Sequence, residues 1–82
     1  MVETRIAPRY RVNKPATVEY RGTKHVCTVR DLSISGAALQ FSVLIRSLCI
    51  PNKFILIIPA DGLNLPCSIV WQRDFRMGVA FD

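Results

Sequence analysis

Polar and apolar positions alternate along most of this chain. Ala16, Val18 and Tyr20 interleave with Thr17 and Glu19, and Cys27 and Val29 with Thr28 and Arg30. A period of two places successive side chains on opposite faces and reads as a half-buried strand. Ala37, Leu39 and Phe41 stand opposite Ala38, Gln40 and Ser42. Lys53 to Ile58 is an almost unbroken β-branched and aromatic run. Cys67, Ile69 and Trp71 alternate with Ser68, Val70 and Gln72, then Met77, Val79 and Phe81 with Gly78 and Ala80. Arg21-Gly22-Thr23, Pro59-Ala60-Asp61-Gly62 and Arg73-Asp74-Phe75-Arg76 supply the turns. Six short strands with polar turns predict an all-β domain, a small six-stranded antiparallel barrel that is closed or nearly so. Closure also hides strand edges, which matters in so small and apolar a domain.

One stretch departs from the alternation. Ser42 to Cys49, with Val43, Leu44, Ile45 and Leu48, reads as a short helix or bulged loop inserted near 42–50, with Ser42 as its N-cap and Pro51 as its stop. Its apolar residues are expected to plug one barrel end; an exposed patch for self-association or a partner is the alternative. By phase with Cys67 and Ile69, Trp71 is expected in the core. His25 reads as an ordinary strand residue, and Arg73 and Arg76 as surface charge.

Length and composition narrow the function. The 82 residues, half of them hydrophobic, make one domain with a core that needs neither disulfide nor metal. No stretch of about 18 apolar residues is present, and Glu3, Arg5, Arg9 and Arg11 interrupt any signal-peptide pattern, so a cytoplasmic protein with no membrane insertion is expected. Cys27, Cys49 and Cys67 are odd in number and set among apolar residues, which predicts buried free thiols. No acid–base pair, nucleophile–histidine arrangement, phosphate loop or metal-ligand spacing is present, so neither an enzyme nor a cofactor is expected.

Charge is focused. The net charge is +5, and residues 1–14 carry Arg5, Arg9, Arg11 and Lys14 against Glu3, a net +3. Arginine outnumbers lysine eight to three, which favours fork-like recognition of an anion over diffuse charge. The division expected is a flexible basic arm over 1–14 and a barrel over 15–82.

Two spaced signatures carry the candidate chemistry: Arg5-x-x-x-Arg9, and Asp31-x-Ser33-x-x-Gly36 within Thr28-Val29-Arg30-Asp31-Leu32-Ser33-Ile34-Ser35-Gly36-Ala37. Guanidinium forks bind phosphate bidentately and can grip the O6/N7 edge of guanine. A carboxylate and a hydroxyl can take guanine N–H donors, and a glycine permits a sharp turn. In order and separation, together with the closing segment from Val70-Trp71 to Met77-Gly78-Val79-Ala80-Phe81, these motifs resemble the PilZ domain family of bacterial cyclic di-GMP receptors. The resemblance implies that Arg5 and Arg9 clamp the ligand. It also implies that Asp31 accepts from the guanine N1 and N2 positions, that Ser33 adds a polar contact and that Gly36 keeps the turn close. Arg11 and Arg30 are additional candidates for ligand contact. Asp31 and Ser33 also fit a plain turn-capping role.

The resemblance further implies second-messenger signal transduction. Ligand binding would order the N-terminal arm and create a surface read by an effector protein. Arg5 is followed by Ile6 where many members carry a second arginine, which implies either weaker affinity or a single bound dinucleotide. Members commonly add a helix after the last strand, whereas this chain stops at Asp82; the 43–50 segment or a second copy, hence a homodimer, would take that place. Two other readings stand beside the receptor: a PilZ-fold interaction module that binds no nucleotide, and a small barrel binding single-stranded nucleic acid. The latter needs exposed aromatics on successive strands, which the pattern does not supply.

Overall fold

The computed structural model describes residues 9–82 of the chain. The alternating segments form β1 (Tyr10–Tyr20), β2 (Thr23–Leu32), β3 (Gly36–Gln40), β4 (Lys53–Ile58), β5 (Leu63–Arg73) and β6 (Arg76–Phe81). They pair antiparallel around a closed ring in the order β1-β2-β3-β6-β5-β4, sealed where β1 meets β4 through Thr17↔Ile57, Val18↔Leu56 and Glu19↔Ile55. The expected six-stranded barrel is the one observed.

Local chemistry sets the register. Arg21 (φ 49) and Gly22 (φ 79) form the two-residue turn between β1 and β2, which pair Tyr20↔Thr23 at its base. Positive φ at both central residues gives the turn a twist matching that of the flanking strands, and glycine adopts it without a side-chain clash. Between β5 and β6 the same service falls to Asp74 (φ 50), a residue type that tolerates the left-handed region.

Val18, Val29, Leu39, Leu56, Ile58, Cys67 and Met77 are fully buried and come from all six strands. Burying each large aliphatic side chain stabilises the fold by about 1.5–3 kcal/mol. Among the described residues no buried side-chain polar atom lacks a hydrogen-bond partner.

Three sequence expectations need correction. Strand β1 begins at Tyr10, so the boundary expected between 14 and 15 falls inside a strand that pairs with β2 from Tyr10↔Leu32 onward. The 42–50 segment contains a single 3-10 turn, Ile45–Ser47, whose N-cap is the extended Leu44 and not Ser42. The Phe41 and Ile45 N–H groups donate instead to the carbonyls of Phe75 (2.7 Å) and Asp74 (2.8 Å), which holds 41–45 along the β5–β6 tip. Ile45, Leu48 and Ile50 do pack on the core, while Val43 faces out. The Tyr20 hydroxyl fastens the segment by donating to the Leu48 carbonyl at 3.0 Å, and it also lies 3.0 Å from His25 Nε2.

Third, only two of the thiols are buried. Desolvation pushes the Cys27 thiol up to about 12 and that of Cys67 up to about 11 from an ordinary 9.0. Cys49 is exposed and adopts φ 54 in the connection to β4. Among the described residues no helix is long and apolar enough to cross a membrane.

Candidate ligand site on the outer face

Of three irregularities in the ladders, the β-bulges of β2 and β5 decide which side chains leave the barrel at this face. In the β2–β3 ladder Val29 pairs with Leu39, yet Asp31 already pairs with Ala38. In the β5–β6 ladder Ile69 pairs with Val79 and Trp71 with Gly78. Each strand therefore carries one extra residue, and the inward–outward alternation slips by one beyond it. Uninterrupted alternation from Val29 would turn Asp31 inward; the slip puts it outside and lets Leu32 pack on the core. The same slip leaves Val70 and Trp71 both outside, with Trp71 46% exposed. That overturns the expected core position of Trp71.

Both turned-out residues face one cavity. It measures about 1050 Å³ on the outer surface across β2, β3, β6 and β5, and its lining includes Arg9, Asp31, Trp71, Arg73 and Arg76. Ala38 lines it, in register with Gly78 on the neighbouring strand. The Trp71 indole lies across Gly78, where a Cβ would come within 2.2 Å of Nε1 and 2.5 Å of Cε2. Glycine here is the condition for the ring to lie against the sheet. The rim is the β5–β6 tip, Asp74 and Phe75, the same tip that receives the Phe41 and Ile45 amides.

The arrangement suits an anion carrying a flat polar ring. Arg9, Arg73 and Arg76 outnumber the carboxylates of Asp31 and Asp74 in the lining. Among the described residues the ion pairs are Lys14–Asp61 (2.7 Å) and Lys53–Asp82 (3.4 Å), so these guanidiniums are not engaged by a described carboxylate. The indole offers a stacking face, and Asp31 an acceptor for N–H donors. Among the described residues no group of three or more His, Cys, Asp or Glu could hold a metal.

The sequence-derived candidates separate into four placements. Arg9 and Asp31 meet in the cavity. Ser33 does not line it: its Oγ accepts the N–H groups of Ser35 and Gly36, each at 3.2 Å, and so shapes the turn from β2 into β3. Gly36 opens β3 where a Cβ would stand 2.3 Å from the Val79 carbonyl oxygen, so it lets β3 and β6 approach closely. Arg11 and Arg30 line a smaller neighbouring pocket, and Arg5 lies outside the described residues.

Trp71, Arg73 and Arg76 were missed as site residues. The trace of the first was present: Ile69-Val70-Trp71 is a run of three apolar residues in an otherwise alternating strand, which marks a slip of phase.

A model of the PilZ domain matches residues 3–82. No curated protein matches the chain. With a match over nearly its whole length and a closed six-stranded barrel to accommodate it, the chain belongs to the PilZ domain family, whose members are known as receptors for cyclic di-GMP and not as catalysts.

Proposed function

We propose that this chain binds cyclic di-GMP in the outer-face cavity and passes the signal to a partner protein. The observation that carries this is the convergence of Arg9, Asp31 and Trp71, distant in sequence, on one open cavity of nucleotide size. Arg9 takes a phosphate or the guanine O6/N7 edge, and Asp31 accepts from guanine N1 and N2. Trp71 stacks on the base, and Arg5, four residues before Arg9, adds a second guanidinium. Ser33 and Gly36 serve this site by fixing the turn that follows Asp31 and the approach of β3 to β6. Each charge-assisted hydrogen bond is worth about 1.5–3 kcal/mol and a stacked base about 1–3 kcal/mol. Less the cost of immobilisation, that supports affinity near the micromolar range, about −8 kcal/mol. A bound ligand ties the segment carrying Arg5 and Arg9 to the barrel wall, and the composite surface of ligand and segment is what a partner reads.

The test is calorimetric titration of cyclic di-GMP, with cyclic di-AMP and a single-stranded oligonucleotide as controls. Saturable binding of the guanine ligand alone, lost in Arg9→Ala at an unchanged melting temperature, is the expected result. Absence of heat and of any thermal shift with cyclic di-GMP would overturn the receptor reading. A preference for the oligonucleotide that falls steeply with salt would replace it with nucleic-acid binding.

A further inference from the structure

Beside the large cavity lies a second pocket of about 190 Å³ lined by Arg11, Arg30, Asp31 and Arg76 alone. Its four side chains come from three strands. Arg11 stands opposite Asp31 in the β1–β2 ladder, Arg30 is the extra residue of the β2 bulge, and Arg76 opens β6 in register with Gln40. The Arg30 guanidinium is held by a bond from its Nη1 to Gln40 Oε1 at 3.2 Å. Three guanidiniums and one carboxylate leave a net +2 in a small volume, and the ion pairs among the described residues involve none of the four. Like charges gathered this way repel one another, and an anion bearing several oxygens is what relieves the repulsion. No aromatic or aliphatic side chain lines the pocket, so its lining is wholly charged and offers no apolar surface.

We infer that Arg11, Arg30 and Arg76 form a phosphate-selective subsite, separate from the base-binding cavity and joined to it through Asp31 and Arg76, which line both. The subsite takes a phosphate group: one belonging to dinucleotide bound in the adjoining cavity, which rests on the receptor reading above, or one on a free phosphate compound. Asp31 then has two faces. It accepts guanine donors on the cavity side and stands among the guanidiniums on the other. The β2 bulge that turns Asp31 outward and the irregularity of β1 between Arg11 and Lys14 meet at this pocket, so it forms where two strands both depart from regular pairing.

Inorganic pyrophosphate and, separately, cyclic di-GMP are titrated into the protein and into Arg11→Ala, Arg30→Ala and Arg9→Ala, with melting temperatures recorded for each. Arg11 lies outside the large cavity, so its variant reports on the subsite without altering the cavity wall. The expected result is pyrophosphate binding weakened about tenfold by Arg11→Ala and by Arg30→Ala and unchanged by Arg9→Ala, with cyclic di-GMP weakened about tenfold by all three. Loss of cyclic di-GMP affinity in the Arg11 and Arg30 variants without pyrophosphate binding supports the subsite with the dinucleotide as its source of phosphate. Pyrophosphate binding with the same dependence, but no cyclic di-GMP binding, keeps the subsite and overturns the receptor reading. Cyclic di-GMP binding unaffected by Arg11→Ala and Arg30→Ala overturns the subsite and leaves the receptor reading standing. Pyrophosphate binding indifferent to both variants also overturns it.

Discussion

Strands β4 and β5 lie side by side and behave differently. Along β4 the alternation never slips: Phe54, Leu56 and Ile58 point inward, and its register with β5 runs unbroken from Lys53↔Ser68 to Ile58↔Leu63. Such a strand can only build core. The second half of β5, paired with β6, carries a bulge and presents Val70 and Trp71 to the outside in succession. The second half of β2 does the same with Arg30 and Asp31. The regular β4 supplies core, whereas the bulges of β2 and β5 turn out Asp31 and Trp71, which line the candidate site; a third irregularity lies in β1 between Arg11 and Lys14. A bulge costs a ladder bond locally and in return re-aims a side chain that pure alternation would bury.

The sharpest break of this comparison is Leu56→Ala, in the regular strand. Leu56 is fully buried, and the change should cost about 2–5 kcal/mol by lost burial and cavity formation. For a domain of this size that lowers the melting temperature by roughly 4–8 °C per kcal/mol, read by calorimetry, while ligand affinity of the folded fraction stays as it was. Next is Gly36→Ala, at the close contact of β3 with β6. Its new Cβ meets the Val79 backbone oxygen, which cannot rotate away, so the strands must part at a cost of about 1–3 kcal/mol. Denaturant melts should show the loss, and an unchanged midpoint would mean that the two strands are less tightly joined than their geometry indicates.

Trp71→Ala tests the irregular side. Cyclic di-GMP affinity should fall by about 1–3 kcal/mol, roughly 5-fold to 150-fold, with a melting temperature nearly unmoved because half of the side chain is already in solvent. A large drop in stability with no change in affinity would reverse the assignment and return Trp71 to a structural role.

The smallest effect concerns the buried thiols. Folded Cys27 and Cys67 ionise only near 12 and 11, whereas in the unfolded chain they do so near 9.0. Above pH 9 the unfolded chain therefore holds fewer protons than the folded one, and stability falls as pH rises, through about 11 for Cys67 and about 12 for Cys27. At one unit above 9 the fall should be about 1 kcal/mol per buried thiol, measured by denaturant melts across that window. At neutral pH a thiol reagent should modify Cys49 alone in the folded protein and all three thiols in urea.

Much of the barrel was legible because its evidence is periodic. Ala16 and Val18, Leu39 and Phe41, Met77 and Val79 repeat their message over several residues, and turn residues such as Gly22 and Gly62 punctuate it. What escaped was set by pairing between strands distant in sequence. Trp71 follows Ile69 by two, and only the position of Gly78 across the ladder shows that the phase has slipped. Asp31 was found through its motif, not through its exposure. Ser42 looked like a helix cap because the sequence does not reveal that the Phe41 and Ile45 amides are taken by the β5–β6 tip. Ser33 and Gly36, grouped with the ligand contacts, are placed by the fold in the turn and at the strand contact that shape the site.

One small contact fixes the hydrogen placement on a histidine ring. The Tyr20 hydroxyl owns a single proton, and the Leu48 carbonyl receives it. The hydroxyl can then meet His25 only as an acceptor, so Nε2 must be the nitrogen that carries hydrogen. The lone imidazole of the chain is thereby built into the scaffold, where one phenol ties the β1–β2 hairpin to the 42–50 segment.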